Sequence, residues 1–247
     1  MSVQNKVVVI TGGSSGMGKA AAIELVKRGA KVVINGRREQ ELAETAKEID
    51  PTGANVGYVA GDIADPQTAE RLISETLSRF GRIDTLINNA GIFIAKPFTD
   101  TTEDEFESVL STNVKGFFYV TKRAVSEMLK AGSGHIVNIT ASGGADQPMK
   151  AVTSVLTALG KGGLNAATKS LAIEYADKGI RVNAVAPGVM KTPMHAVETH
   201  DYLAQLHPVG RMGEVQDIVD AILYLESAQF VTGEILHVDG GQNAGQW

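Results

Sequence analysis

The chain has 247 residues, and 23 Lys and Arg against 28 Asp and Glu give it a formal net charge of −5. With 43% apolar and 21% charged residues it has the balance of a globular protein, and its mild acidity argues against a nucleic-acid partner. No cysteine is present, which excludes disulfides, thiolate nucleophiles and cysteine-based metal centres. The opening residues lack a secretory pattern and no window approaches a membrane span, so a cytoplasmic protein with no membrane partner is expected.

Short apolar, β-branched runs predict strands over Lys6–Thr11, Lys31–Asn35, Asn55–Ala60, Ile83–Asn88, His135–Thr140, Arg181–Ala186 and Ile235–Val238. Their near-continuous apolarity suits a parallel sheet covered on both faces. Between them, Ala20, Ile23, Leu25 and Val26 form one helical stripe, and Leu72, Ile73, Leu77 and Phe80 form another. Pro66 and Glu103 suit first helical turns, where a missing N–H or a negative charge is tolerated. Strand and helix alternate from end to end with no linker or repeat. That pattern predicts an α/β, doubly wound Rossmann fold with a seven-stranded, mostly parallel sheet, in one domain over residues 1–247.

The first strand runs into Thr11-Gly12-Gly13-Ser14-Ser15-Gly16-Met17-Gly18, and Gly16, Gly18 and Ala21 meet the G-x-G-x-x-A spacing. Such a turn lets the backbone approach a pyrophosphate, which the free N–H groups of the following helix stabilise. The second strand then ends Asn35-Gly36-Arg37-Arg38, without the acid that would hold a free ribose 2′-hydroxyl. Arginine donates paired, charge-assisted hydrogen bonds to a phosphate, so Arg37 and Arg38 favour NADP(H) over NAD(H). The other reading of the pair is a solvated basic helix start, neutralised by Glu39 and Glu41.

Seven motifs in order resemble the short-chain dehydrogenase/reductase family along essentially the whole chain. They are Thr11–Gly18, Asp62-Ile63, Asn88-Asn89-Ala90-Gly91, Asn113–Gly116, Gly134–Ile139, Arg181–Gly188 and Val238–Gly241. The resemblance implies a cofactor site built from Gly12, Ser14, Ser15, Gly16, Met17, Gly18, Arg37, Arg38, Asp62, Ile63, Asn89, Ala90, Gly91, Lys161, Pro187, Gly188, Val189 and Thr192. It also implies a substrate loop at 190–208, and a dimer or tetramer built through two long helices, Glu103–Ala131 and Thr153–Lys178. Trp247 at the C-terminus is expected to anchor against a neighbour or the protein's own surface. The histidines of the loop, His195, His200 and His207, do not match a zinc-helix spacing, and no metal site is expected.

Catalysis in the family uses a Tyr-x-x-x-Lys pair, a serine that holds the substrate oxygen, and an asparagine that supports a relay water. Asn113 and Lys161 match two of these, while the tyrosine position holds Thr157. Ala141 falls at the serine position with Ser142 one residue on, and a one-residue shift out of a strand points a side chain to the opposite face. Asn113, Ser142 and Lys161 are therefore the candidate catalytic residues, Ser142 only if the loop over 143–153 bends its strand end. A threonine hydroxyl is a far weaker acid than a phenol, and loss of a positioned acid costs about 10²–10⁴-fold. Replacement donors are His195, Tyr202, Asp146 or Lys161 itself. Two functions fit: an oxidoreductase interconverting a small carbonyl compound and an alcohol by a modified relay, or a weak or inactive dinucleotide-binding protein serving as sensor or partner subunit.

Overall fold

A computed structural model describes residues 3–150 and 152–245 of the chain; Trp247 and its expected anchoring lie outside the described residues. Seven strands form one sheet: β1 (Val7–Thr11), β2 (Lys31–Gly36), β3 (Val56–Ala60), β4 (Thr85–Asn88), β5 (Gly134–Ile139), β6 (Ile180–Pro187) and β7 (Ile235–Val238). Their order is β3-β2-β1-β4-β5-β6-β7, and every pairing is parallel. Each predicted strand is present, with ends displaced by a residue or two.

Both faces of the sheet are covered, and the pleat divides each central strand between two cores. Val8, Ile10, Val32 and Ile34 face one core with α1 (Gly16–Lys27), α2 (Glu39–Ile49) and α9 (Val215–Ser227). Val9 and Val33 face the other, with α3 (Pro66–Phe80), α5 (Gly116–Ala131) and α7 (Gly163–Tyr175). Pro66 is the first residue of α3, where Asp65 caps the helix by accepting from Gln67 N at 2.9 Å. In α1 the buried face is Gly18, Ala21, Ala22 and Leu25, whereas Ile23 is 39% exposed. The stripe drawn through Ile23 is thus corrected: α1 lies close to its neighbours, and small side chains occupy the contact.

Two long helical runs flank the C-terminal ends of β4 and β5. One joins α4 (Glu103–Val109) to α5 through a π-helical turn, Leu110–Lys115. The other begins at α6 (Val155–Thr157), two residues later than expected, and reaches α7 through a second π-helical turn, Ala158–Gly162. Such insertions re-aim side chains and concentrate at functional sites; here one carries Asn113 and the other Lys161. Between β6 and α9 the chain leaves the sheet as a lid containing α8 (His200–Ala204). Among the described residues no helix is long and apolar enough to cross a membrane.

Candidate active site

Strand β1 delivers Thr11 to the edge of the sheet and turns directly into α1. Thr11 Oγ1 accepts from Asn89 N at 3.1 Å and Ala90 N at 3.0 Å, while Asn89 Nδ2 donates to Thr11 O and Gly12 O at 3.0 and 2.9 Å. The glycine turn is thereby fastened to the end of β4. A Cβ on Gly18 would overlap Gly12 O and the Asn89 amide, so this position admits glycine alone. Ser15, which caps α1, makes no side-chain bond to the first-turn amides, and no acid occupies that turn. The helix start is left open to an anion.

Around it lies a cleft of about 380 Å³ lined by Gly12, Ser14, Ser15, Gly16, Met17, Arg37, Arg38, Asp62, Ile63, Asn89, Ala90, Gly91 and Thr192. Gly18 supports this wall from behind. At the rim, Arg38 pairs with Glu41 at 2.6 Å, whereas Arg37 is exposed and has no ion pair among the described residues. Neutralisation by Glu41 thus accounts for one arginine of the pair. Asn35, next to last in β2, is buried, its amide donating to Val59 O and Gly61 O at 3.0 and 3.2 Å, so it braces β3 and leaves ribose recognition to its neighbours. The cleft fits a dinucleotide: an uncapped helix start, a close-approach turn and an unpaired guanidinium stand in the order that a pyrophosphate and a further phosphate require.

A second cavity of about 620 Å³ opens from the first across Met17, Asn89, Gly91, Ile92, Thr192 and Met194, which line both. Lys161, Thr157, Ala141, Pro187, Gly188 and Val189 form its floor, and His195, Tyr202, Leu203 and Leu206 of the lid close over it. Lys161 is 7% exposed and donates to Ile139 O at 2.7 Å; burial pushes its ammonium down to about 8. A Cβ on Gly91 would stand 2.6 Å from Lys161 Nζ, so the glycine is what admits the ammonium to the seam between the cavities. Thr157 is 1% exposed, and its hydroxyl has no partner among the described residues.

One of the three candidate catalytic residues, Ser142, is placed otherwise than expected. Ser142 donates to Asp239 Oδ2 and is fully buried, and its backbone N donates to Pro187 O at 2.8 Å. Its hydroxyl is turned away from the cavity and cannot hold a substrate oxygen. The loop after it does fold on itself, with Asp146 N and Gln147 N donating to Ser142 O at 3.1 Å, but this leaves Ala141 at the cavity wall. Asn113 spends both amide atoms on Ile92, donating to its O at 3.0 Å and accepting from its N at 2.9 Å. Its side chain fixes the turn beyond β4 beside Gly91, with one N–H and one oxygen lone pair engaged there. Asp146, a candidate donor, accepts from Asn165 Nδ2 at 2.7 Å and pairs with His237 at 3.1 Å, outside the cavity.

Sequence reasoning missed Gln242, and it placed His207 in the substrate loop without its contact to Val189. Gln242 is buried in the cavity wall. His207 Nε2 accepts from Val189 N at 2.9 Å, tying the end of the lid to the Pro187–Val189 turn. No spacing marks either residue; only the closure of the lid over β7 brings them in. Among the described residues no group of acids and histidines could hold a metal ion.

Fold and site together define a nucleotide-dependent oxidoreductase scaffold. A family model described as Enoyl-(Acyl carrier protein) reductase matches residues 12–243. An uncharacterized oxidoreductase of Thermotoga maritima is 39% identical, over 99% of this chain and 100% of that protein. The 3-oxoacyl-(acyl-carrier-protein) reductase FabG of Salmonella typhimurium is 37% identical, over 98% of each. The solved structure of ElxO with NADP bound superposes with a TM-score of 0.91 at 32% identity, covering 98% of this chain and 100% of that one. The chain belongs to the short-chain dehydrogenase/reductase family.

Proposed function

We propose that the protein is an NADP(H)-dependent oxidoreductase that interconverts a small carbonyl compound and its alcohol, with a proton relay that does without the family's phenol. The observation that carries this reading is the buried Lys161 ammonium at the seam of a phosphate cleft and an apolar cavity. Bound NADP(H) supplies or accepts the hydride. The α1 amides and Arg37 hold its phosphates, Lys161 its nicotinamide-side ribose, and Pro187, Gly188, Val189 and Thr192 line its other flank. Thr157 donates a hydrogen bond to the substrate oxygen, polarising it without releasing a proton. The proton itself comes from a lid side chain, His195 or Tyr202, both of which line the cavity. Burial, and then the charge of His200, lowers the His195 imidazolium below its ordinary range, which makes it a readier donor.

The wider reading is a cytoplasmic, single-domain homotetramer with no nucleic-acid or membrane partner. Phe106, Phe118, Val155, Leu159 and Ile173 stand exposed along the two long helical runs and supply the apolar face such an assembly buries. Light scattering at micromolar concentration is expected to return four copies, and a monomer refutes the assembly.

The test of the activity is a fluorescence titration with NADPH and NADH, followed by NADPH consumption against a panel of carbonyl compounds. Turnover by the native protein, lost in His195→Asn or Tyr202→Phe, is the expected result. Because a lid side chain already supplies the proton, Thr157→Tyr is expected to change turnover by much less than the about 10²–10⁴-fold that a missing acid costs. Nucleotide binding with turnover only in Thr157→Tyr instead favours the second reading, a dinucleotide-binding sensor or partner subunit. The unpartnered Thr157 hydroxyl, too weak an acid for the family's chemistry, is the observation behind that alternative.

A further inference from the structure

The walls of the second cavity carry mostly carbon and sulfur: Phe93, Met149, Met190, Met194, Leu203 and Leu206. No carboxylate and no arginine is among its lining residues, and Lys96 at its edge is already paired with Glu105 at 2.7 Å. A substrate body that fits there is uncharged and largely apolar. Of the two amide side chains in this surface, Asn89 already donates to Thr11 O and Gly12 O at 3.0 and 2.9 Å; the other is Gln242. Gln242 follows the Asp239–Gly241 turn and is 0% exposed. Its Nε2 donates to Leu206 O at 3.0 Å, which fixes the orientation of the side chain, while its Oε1 has no partner among the described residues. A Cβ on Gly143 would come within 2.9 Å of that oxygen, so a glycine across the cavity wall keeps the space beside it clear.

An unpartnered buried acceptor is costly, and native proteins retain few of them. A site that leaves such an atom facing a ligand discriminates strongly, because a ligand without the matching donor leaves it unpaired. Resting on the carbonyl–alcohol reading of the same cavity, we propose that Gln242 selects the substrate: the protein takes neutral, largely apolar carbonyl compounds that carry a second group, a hydroxyl or amide N–H, able to donate to Gln242 Oε1. Thr157 then meets the reacting oxygen and Gln242 the remote donor, so two polar contacts orient an otherwise featureless body between the lid and the sheet.

The proposal is tested by binding and not by turnover. With NADP⁺ present a ketone cannot be reduced, so affinities of matched aliphatic and aryl ketones, each with and without a hydroxyl remote from the carbonyl, are read by calorimetry. The same panel is run without nucleotide. The hydroxylated member of each pair is expected to bind about tenfold more tightly in the native protein. Gln242→Leu is expected to reduce that preference to about threefold or less. Gln242→Met, which keeps the side-chain length, gives the same readout should the leucine variant fail to fold. Gly143→Ala, whose new methyl crowds Oε1, is expected to lower the preference while leaving NADPH affinity unchanged. Equal binding within pairs, which is the result if water satisfies the oxygen, overturns the proposal. So does a preference that survives loss of the amide, or a panel in which nothing binds. A preference that depends on Gln242 in a protein without turnover removes the enzyme reading and overturns substrate selection, leaving Gln242 as a contact to a bound ligand.

Discussion

The two ends of the sheet treat buried polar groups in opposite ways. At the N-terminal ends of the strands, Glu226 of α9 is 2% exposed, yet Lys6, His135 and Thr85 reach it at 2.6, 2.6 and 3.0 Å. His135 in turn meets Asn183 Nδ2 at 3.1 Å, so its Nε2 accepts and its Nδ1 donates to the carboxylate. Every member of that network has partners. At the C-terminal ends, Thr157 Oγ1 and Gln242 Oε1 have none among the described residues, and there the Lys161 ammonium is bonded only to one backbone carbonyl. A satisfied network stabilises the chain it belongs to, whereas unpaired groups gathered around one cavity gain their partners when something enters it. The foot of the sheet is where the fold is secured, and the head is where a ligand is met.

The comparison breaks most visibly at Glu226. Glu226→Gln leaves Lys6 and a buried imidazole facing a neutral amide, and removing one member of a buried pair costs about 3–5 kcal/mol. Chemical denaturation is expected to show that loss, while NADPH affinity of the folded variant stays unchanged, because the head of the sheet is untouched. Burial alone raises the Glu226 carboxyl, but the hydrogen bond from the neutral His135 and the charge and hydrogen bond of Lys6 outweigh it and hold it well below the usual carboxylate range. A depressed folded value means stability that is present above the unfolded carboxylate pKa and lost as pH falls through the folded one. The variant should lack that acid-range slope. A variant as stable as the native protein, or one with weakened nucleotide binding, would show that the two ends are not independent.

At the opposite end, Arg37→Ala probes the rim, where a charge stands without an ion pair. It is expected to weaken NADPH binding by about 1–3 kcal/mol with little effect on NADH, the difference being a charge-assisted contact to the 2′-phosphate. Arg38→Ala should do less, since Arg38 is already paired with Glu41. Equal losses for both nucleotides would remove the 2′-phosphate assignment.

How far the sequence carries depends on the range of the contact. Strands such as Val7–Thr11 and Ile180–Pro187 are legible because burial on both faces writes an unbroken apolar run. The glycine turn is legible because close approach to a helix start demands glycine at fixed spacing. Ile23 misled, since bulk suggests burial and the tight α1 contact takes Ala21 and Ala22 instead. Ser142 could not be read locally: its direction is set by Asp239, 97 residues away, which comes within reach only when β7 docks beside β6. Gln242 is hidden for the same reason. Its partner is Leu206 of the lid, and neither residue carries a motif that announces the other.

Lys161 supplies the finest test, because it is the one lysine among the described residues that is classed as buried. Desolvation brings its ammonium to about 8 in the folded protein, against roughly 10.4 in an unfolded chain. Between those values the unfolded chain holds more protons, so this residue makes stability rise with pH across that window, the same direction as the Glu226 effect but in the alkaline range. Nucleotide affinity should move the other way. If the charged form holds the ribose, NADPH binding weakens by roughly tenfold between pH 7 and 9, about 1.4 kcal/mol. Near pH 8 binding must then take up protons. Calorimetry in two buffers of different ionisation enthalpy measures that uptake directly, and Lys161→Met is expected to abolish it. Uptake that persists in Lys161→Met assigns the proton to another group and removes the lysine from the ribose; no uptake in the native protein means the ammonium is not what the nucleotide meets.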